Sequence, residues 1–308
     1  MRRTCYLPEG VGPLFPDHQS LAAIREAMES QTVLEGMAVR CDSQRDLHIR
    51  FGGWEGVIPR QEAAHPAISG AERDISVLSR VGKPTCFTIT DISVDGGGKP
   101  RLLLSRRRAQ EQAMAWLLEN AVPGAVIPAR VTHLASFGAF VDIGCGVASL
   151  IGIENLSVSR IFHPSDRLSV GQSINAAVRS VDRKTRRISL THRELLGTWE
   201  QNAAQFSPGE TVRGVVRSVE PYGVFIELAP NLSGLAEPRS DLAAGPVVSV
   251  YIKSILPQRM KIKLTVIDVL AASEAPPLPQ YFITEGHIDE WVYTPACCDR
   301  KYIATVFE

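Results

Sequence analysis

Laid against itself the chain repeats, and this repeat limits the folds open to it more than any other feature. Residues 124–143, GAVIPARVTHLASFGAFVDI, match residues 209–228, GETVRGVVRSVEPYGVFIEL, without a gap. A second gapless match pairs residues 171–181, GQSINAAVRSV, with residues 245–255, GPVVSVYIKSI. Both copies run on to close on Ile188-Ser-Leu-Thr191 and Ile262-Lys-Leu-Thr265. Each unit spans roughly 60 to 70 residues, the size of one small barrel domain. A third, eroded copy lies upstream. There, residues 82–92, GKPTCFTITDI, fit the long closing strand, and Arg101-Leu-Leu-Leu-Ser105 fits the last one after a Gly96-Gly97-Gly98 insertion read as a flexible hairpin loop. A chain of 308 residues is long for one core and comfortable for two or three.

Within each unit, short runs of β-branched and other apolar residues, such as Val212, Val215, Val219, Phe225 and Leu228, are punctuated by Gly, Pro and Asn. This is the signature of short antiparallel strands. Between units the spacing turns helical. Arg106 to Asn120, with Met114, Leu117 and Leu118, reads as a linker helix, and residues 193–206, closed by Ser207-Pro208-Gly209, read as a second. The expected order is an N-terminal segment with a short helix (1–32), a degenerate barrel (33–107), a linker helix (108–120), a barrel (121–193), a linker helix (194–206), a barrel (207–268) and a tail (269–308).

Composition sets the compartment and the charge. Hydrophobic residues are 44% of the chain and charged residues 21%, which is ordinary for a folded soluble protein. Six cysteines without paired spacing do not form a disulfide framework, and Pro8, Gly10, Pro13 and Asp17 interrupt any leader-like apolar run after Arg2 and Arg3. A cytoplasmic setting with no membrane partner is the expectation. Net charge is zero, which on its own argues against binding a polyanion. Its distribution argues otherwise: residues 121–193 hold nine basic against four acidic residues, whereas 269–308 hold two against six.

Chemistry concentrates in Phe137-Gly138-Ala139-Phe140. Strand residues three apart face opposite sides unless the pleat is interrupted. A bulge at Gly138 would bring both rings to one face, where nucleobases could stack at about 1 to 3 kcal/mol each. The alternative is that both rings serve the core; recurrence of the pattern as Tyr222-Gly223-Val224-Phe225 favours a surface role for at least one ring of each pair. The turn Asp182-Arg-Lys-Thr-Arg-Arg-Ile-Ser-Leu190 gathers Arg183, Lys184, Arg186 and Arg187. Alone it reads as a solvated hairpin tip, and beside an aromatic strand it reads as a phosphate-binding rim.

Taken together, the Gly-x-Val opening, the Phe-Gly-Ala-Phe strand, the Val-Gly-Gln-x-Ile strand and the closing Asp-x-x-x-x-Arg-Ile-Ser-Leu turn resemble the S1 RNA-binding domain. The likeness covers most of residues 121–268 and, weakly, 33–107. It implies a mainly β fold of tandem five-stranded OB-fold barrels joined by short linker helices, with single-stranded RNA as partner. Carried over residue by residue, the resemblance puts Phe137, Phe140, Asp182 and Arg187 of the second unit, and Tyr222, Phe225 and Lys261 of the third, on the binding face. Gly152 and Glu237 stand where the family has a His, and Leu256 replaces the Asp in the third unit. A carboxylate at 237 implies weaker binding there. In the first unit the aromatic positions become Arg45 and His48. Eroded N-terminal copies in such proteins dock on the small ribosomal subunit or on other proteins, which makes that role the expectation for this one.

The tail offers two β-prone runs, 281–293 and 300–307, expected to form a hairpin whose acidic balance suits packing better than RNA contact. Adjacent Cys297 and Cys298 with His287 do not make a metal set. The chain has no nucleotide-binding glycine loop, nucleophile elbow or metalloprotease helix, so neither catalysis, nor a cofactor, nor a small-molecule substrate is expected. The competing readings are a protein-interaction scaffold that has lost useful RNA affinity and an accessory to RNA decay or transcription.

Overall fold

The computed structural model describes residues 6–12, 20–65, 77–94, 100–270 and 279–308. Gly96-Gly97-Gly98 falls outside them. Three closed five-stranded barrels follow one another along the chain. The first is built from β1 (Leu34–Cys41), β2 (Leu47–Phe51), β3 (Trp54–Ile58), β4 (Pro84–Val94) and β5 (Pro100–Ser105). The second comprises β6 (Val126–Ala135), β7 (Gly138–Asp142), β8 (Ala148–Gly152), β9 (Ser173–Asp182) and β10 (Arg187–Thr191). The third comprises β11 (Thr211–Glu220), β12 (Gly223–Ala229), β13 (Leu232–Ala236), β14 (Val247–Leu256) and β15 (Lys261–Val269). In each, the first three strands form an antiparallel meander, the fourth and fifth form a hairpin, and a short parallel pairing of the third strand with the fifth closes the ring.

The repeat extends to irregularities. The first strand of each barrel carries a bulge at the same place, skipping Val39, Thr132 and Arg217. The turn before the last strand uses a left-handed residue in the second and third barrels, Arg186 (φ 54°) and Met260 (φ 48°). Inside each ring the alternate residues meet. Phe87, Ile49, Ile89 and Leu102 fill the first barrel, Val131, Val141, Ile151 and Leu190 the second, and Val216, Ile226, Ile252 and Leu264 the third.

Helix α1 (Leu21–Glu29), capped by the Ser20 hydroxyl accepting from Ala23 N–H, packs on β4. Helix α2 (Arg106–Asn120), capped by Ser105, buries Ala113, Met114 and Leu117 in the same cluster as the second barrel, with Val33 and Cys86 of the first. It therefore glues two barrels together rather than spacing them. At their junction Glu9 is buried between the guanidinium groups of Arg106 (2.8 Å) and Arg80 (2.7 Å). Burial raises the Glu9 pKa, but the two cations outweigh it and bring it down to about 2.

The second linker differs from the sequence expectation. Residues 193–206 are not one helix: a 3-10 turn over Arg193–Leu196 is cut off at Gly197 (φ 83°), and only Trp199–Ala203, α3, is helical. A side chain at Gly197 would strike the Phe282 ring, so the break leaves room for the tail. The second and third barrels then meet through a buried ionic cluster in which Glu227 accepts from Arg167 and, in bidentate fashion, from Arg217 (2.9 and 3.1 Å). Asn231 extends this junction, accepting from Val158 N–H and donating to the carbonyls of Arg193 and Gly197.

The tail also departs from a simple hairpin. Its paired strands are short, β16 (Glu290–Val292) and β17 (Ala304–Val306), while Ile288, Trp291 and Tyr293 are buried in the third barrel's cluster. Tyr281 reaches back to the second barrel, where its hydroxyl accepts from Asn175 N–H (3.1 Å) and contacts His192 Nε2 (3.0 Å). His192 Nδ1 lies against the Leu156 carbonyl and must donate to it, so Nε2 accepts from the tyrosine. Burial lowers the His192 pKa to about 4, and the imidazole is neutral at physiological pH.

This folded value lies below the ordinary 6.5. The unfolded chain therefore binds more protons in between, and the stabilisation is complete above pH 6.5 and lost as pH falls toward 4. Its full depth is on the order of 3 kcal/mol. Thermal unfolding followed from pH 7.5 to 4.5 is expected to show a steeper loss for wild type than for His192→Gln.

Candidate nucleic-acid interface

Barrel closure decides which side chains face out. Across the second barrel, His133, Phe140, Leu150, Ser189 and Ser180 are register partners in one row, all at outward positions. The equivalent row in the third barrel is Ser218, Phe225, Leu235, Lys263 and Ser254. In the first it is Arg40, His48, Val57, Leu103 and Asp91.

Phe137 and Phe140 share the outer face, but not through a bulge at Gly138. The bulge lies at Thr132 on the neighbouring strand, and Phe137 sits in the turn just before β7, free of the strand's alternation. Its carbonyl accepts from Ile153 N–H at 3.0 Å, which fixes the turn against the end of β8. Gly138 is required for a different reason: a Cβ there would lie 2.4 Å from the Ile151 carbonyl oxygen. Gly223 repeats this close approach, 2.6 Å from the Ala236 oxygen. In the Phe-Gly and Tyr-Gly pairs, then, the aromatic stands in the turn and the residue after it is small enough for two backbones to touch.

The rings stand edge to face. Phe137 and Phe140 have centroids 5.8 Å apart at 86°, and Tyr222 and Phe225 are 6.1 Å apart at 87°. Phe137 is 56% exposed and Tyr222 66%, while Phe140 and Phe225 are half-buried. Exposing apolar rings to water is unfavourable, and their pairing in two successive barrels gives that exposure a shared geometry. His133, which sequence reasoning missed, adds a third ring 6.0 Å from Phe140; its signal was its position directly across the hairpin.

The basic turn divides. Arg187 lies on the sheet beside Ser189, on a diagonal roughly 12 Å from Phe140 by strand geometry. Arg183, Lys184 and Arg186 stand at the exposed tip beyond it, and Arg183 Nε donates to the Leu118 carbonyl of α2 (3.1 Å). Asp182 shapes this turn: its carboxylate accepts from the N–H groups of Lys184 (2.9 Å) and Thr185 (3.1 Å), and the Thr185 hydroxyl foremost, then these backbone bonds, hold its pKa below the usual range. In the third barrel Lys261 takes the Arg187 position, and Lys263, also missed from sequence, stands in line with Phe225.

The substituted positions have structural counterparts. Glu237 is paired with Lys253 (2.7 Å), so its charge is compensated locally. At Gly152 a Cβ would meet the Glu154 carboxylate. In the first barrel, His48 Nε2 lies 2.9 Å from Asp42 and the ring also contacts Arg40, so no aromatic pair occupies this wall. Among the described residues no group of three or more His, Cys, Asp or Glu is placed to hold a metal, and no helix is long and apolar enough to cross a membrane.

Tandem closed barrels with an outward aromatic pair and a cationic rim define a class of oligonucleotide-binding fold. Residues 122–193 match the family described as S1 RNA binding domain, and the chain carries that domain. It is 33% identical over 193 residues to the small ribosomal subunit protein bS1 homolog of Bacillus subtilis, covering 61% of this chain and 49% of that protein. Against the small ribosomal subunit protein bS1 of Staphylococcus haemolyticus it is 36% identical over 183 residues, 54% of this chain and 46% of the other. The chain thus spans about half the length of the curated relatives it matches.

Gly138→Ala tests the role given to that glycine. The new Cβ forces β7 and β8 apart, at a cost of about 1 to 3 kcal/mol. A fall in Tm of several degrees is expected, with faster amide exchange at Ile153, whose N–H is held by the Phe137 carbonyl.

Proposed function

We propose that the protein binds single-stranded RNA, as the ribosomal protein S1 type does, with the second and third barrels as its binding units and messenger RNA in translation as its setting. The observation that carries this reading is the outward aromatic pair repeated on both barrels, each with cations on the same wall. Unpaired bases stack on Phe137 and Phe140, and on Tyr222 and Phe225. Arg187, with Arg183, Lys184 and Arg186 beyond it, neutralises phosphates on the second barrel, and Lys261 does so on the third. Asp182 acts by holding the cationic turn in shape.

Two weak sites on one strand raise each other's effective concentration, and the buried contacts between these barrels favour this by fixing their separation. The first barrel, without an aromatic pair, is assigned a protein contact on the small ribosomal subunit, a reading supported by the names of the relatives above. Fluorescence anisotropy with a short single-stranded RNA is the test. Phe140→Ala is expected to weaken binding by about 1 to 3 kcal/mol, roughly 5- to 150-fold, with Tm nearly unchanged. Unaltered affinity would remove the second-barrel wall from the site.

A further inference from the structure

The third barrel's aromatic wall, with Tyr222 66% exposed, is flanked by two other chain segments. It forms one side of a cleft of about 660 Å³, whose other sides come from the segment at Val158–Arg160 of the second barrel and from the tail at Cys298–Ile303. Tyr222 and Phe225 line it, with Arg259 and Lys261 from the third barrel itself. Arg160 enters from the second barrel, and Arg300 and Lys301 from the tail. Glu220 is the one carboxylate in the lining, and Arg217, which also lines the cleft, is paired with Glu227.

The tail's charges are sorted. Residues 269–308 carry only two basic side chains, and both face this cleft, whereas none of the tail's described acidic residues lines it. The sorting is held by structure. Thr294 Oγ1 donates to the Lys301 carbonyl (3.0 Å) and accepts from Ile303 N–H (2.8 Å), while Tyr293 N–H donates to the Ile303 carbonyl (2.9 Å). Trp291 and Tyr293 anchor the segment in the core. Arg160 is fixed through its neighbour, because Ser159 bonds the Pro230 carbonyl and the Ser233 hydroxyl across the barrel junction. None of Arg160, Arg259, Lys261, Arg300 and Lys301 is ion-paired among the described residues.

We propose that residues 298–303 and Arg160 close the third barrel's aromatic wall into a composite RNA cleft, in which Arg300 and Lys301 bind the phosphates of the nucleotides whose bases stack on Tyr222 and Phe225. The tail is then part of the binding site, contrary to the packing role its acidic balance suggests. This inference rests on the single-stranded RNA reading above. Five cations with no ion pair among the described residues, Arg160 resting over the Phe162 ring (5.8 Å), come from three chain segments around two rings and give a site for a flexible polyanion with flat faces, and a single strand of nucleic acid has that chemistry.

The test uses the full chain and a labelled ten-nucleotide single-stranded RNA across a salt series. Arg300→Ala/Lys301→Ala is expected to weaken binding on the order of tenfold and to make the log affinity against log salt slope shallower by about 1.4. Arg300→Lys is expected to retain the slope. Tyr222→Ala should cost less in the tail double variant than in wild type, since the two act on one bound segment. An unchanged slope in the tail variant, with Phe140→Ala still weakening binding, overturns the cleft and leaves the RNA reading intact. A shallower slope with no effect of Tyr222→Ala or Phe225→Ala shows a bare anion site and overturns it equally. Absence of RNA binding by wild type removes both.

Discussion

Closure of each strand ladder is the constraint on which the rest of the molecule depends. Once the third strand pairs in parallel with the fifth, every strand has two neighbours, and alternate residues are committed either to the filled interior or to the wall. A bulge in the first strand bends it to meet both partners, and it recurs in all three barrels. Phe140 and Phe225 are outward for that reason, not because of any preference of phenylalanine for water. The rings at 137 and 222 join them by standing one residue outside the ladder.

The three rings are welded to one another by unlike means. Between the first and second, a helix shares its apolar side with both while Glu9 is neutralised by two arginines. Between the second and third, Glu227 holds Arg167 and Arg217, and the tail spans the junction through Tyr281 and His192. Buried ion clusters of this kind add little net stability over apolar packing, but removing one partner is costly because it strands the other charge. Interfaces of this sort favour fixed spacing over independent tumbling.

The repeat made the fold legible, since gapless self-similarity over two units with strand-type periodicity leaves few architectures. The α2 helix was readable from Met114, Leu117 and Leu118. The second linker was misread because Leu195, Leu196 and Trp199 keep helical spacing, while Gly197, at φ 83° and packed so closely on Phe282 that a side chain would not fit, breaks the helix. On the candidate site, a surface role was expected for at least one ring of each pair, and Phe137 and Phe140 both lie on the outer wall, though not through a bulge at Gly138. His133 and Lys263 escaped notice because only strand register puts them in line with the aromatics. Arg160, Arg300 and Lys301 lie far from Tyr222 in sequence, and no periodicity links residues brought together by a junction.

Burial of Trp291 and Tyr293 against the third barrel has a bearing on the order of assembly. Strand β15 ends at Val269, yet the apolar cluster it helps enclose is still missing residues that emerge some twenty positions later on the nascent polypeptide. The first barrel can ripen as it is made. The other two are finished only when the segment beyond β15 arrives, to pair with the edge of β6 and hold Asn175 in the second, and to cover the oily side of the third.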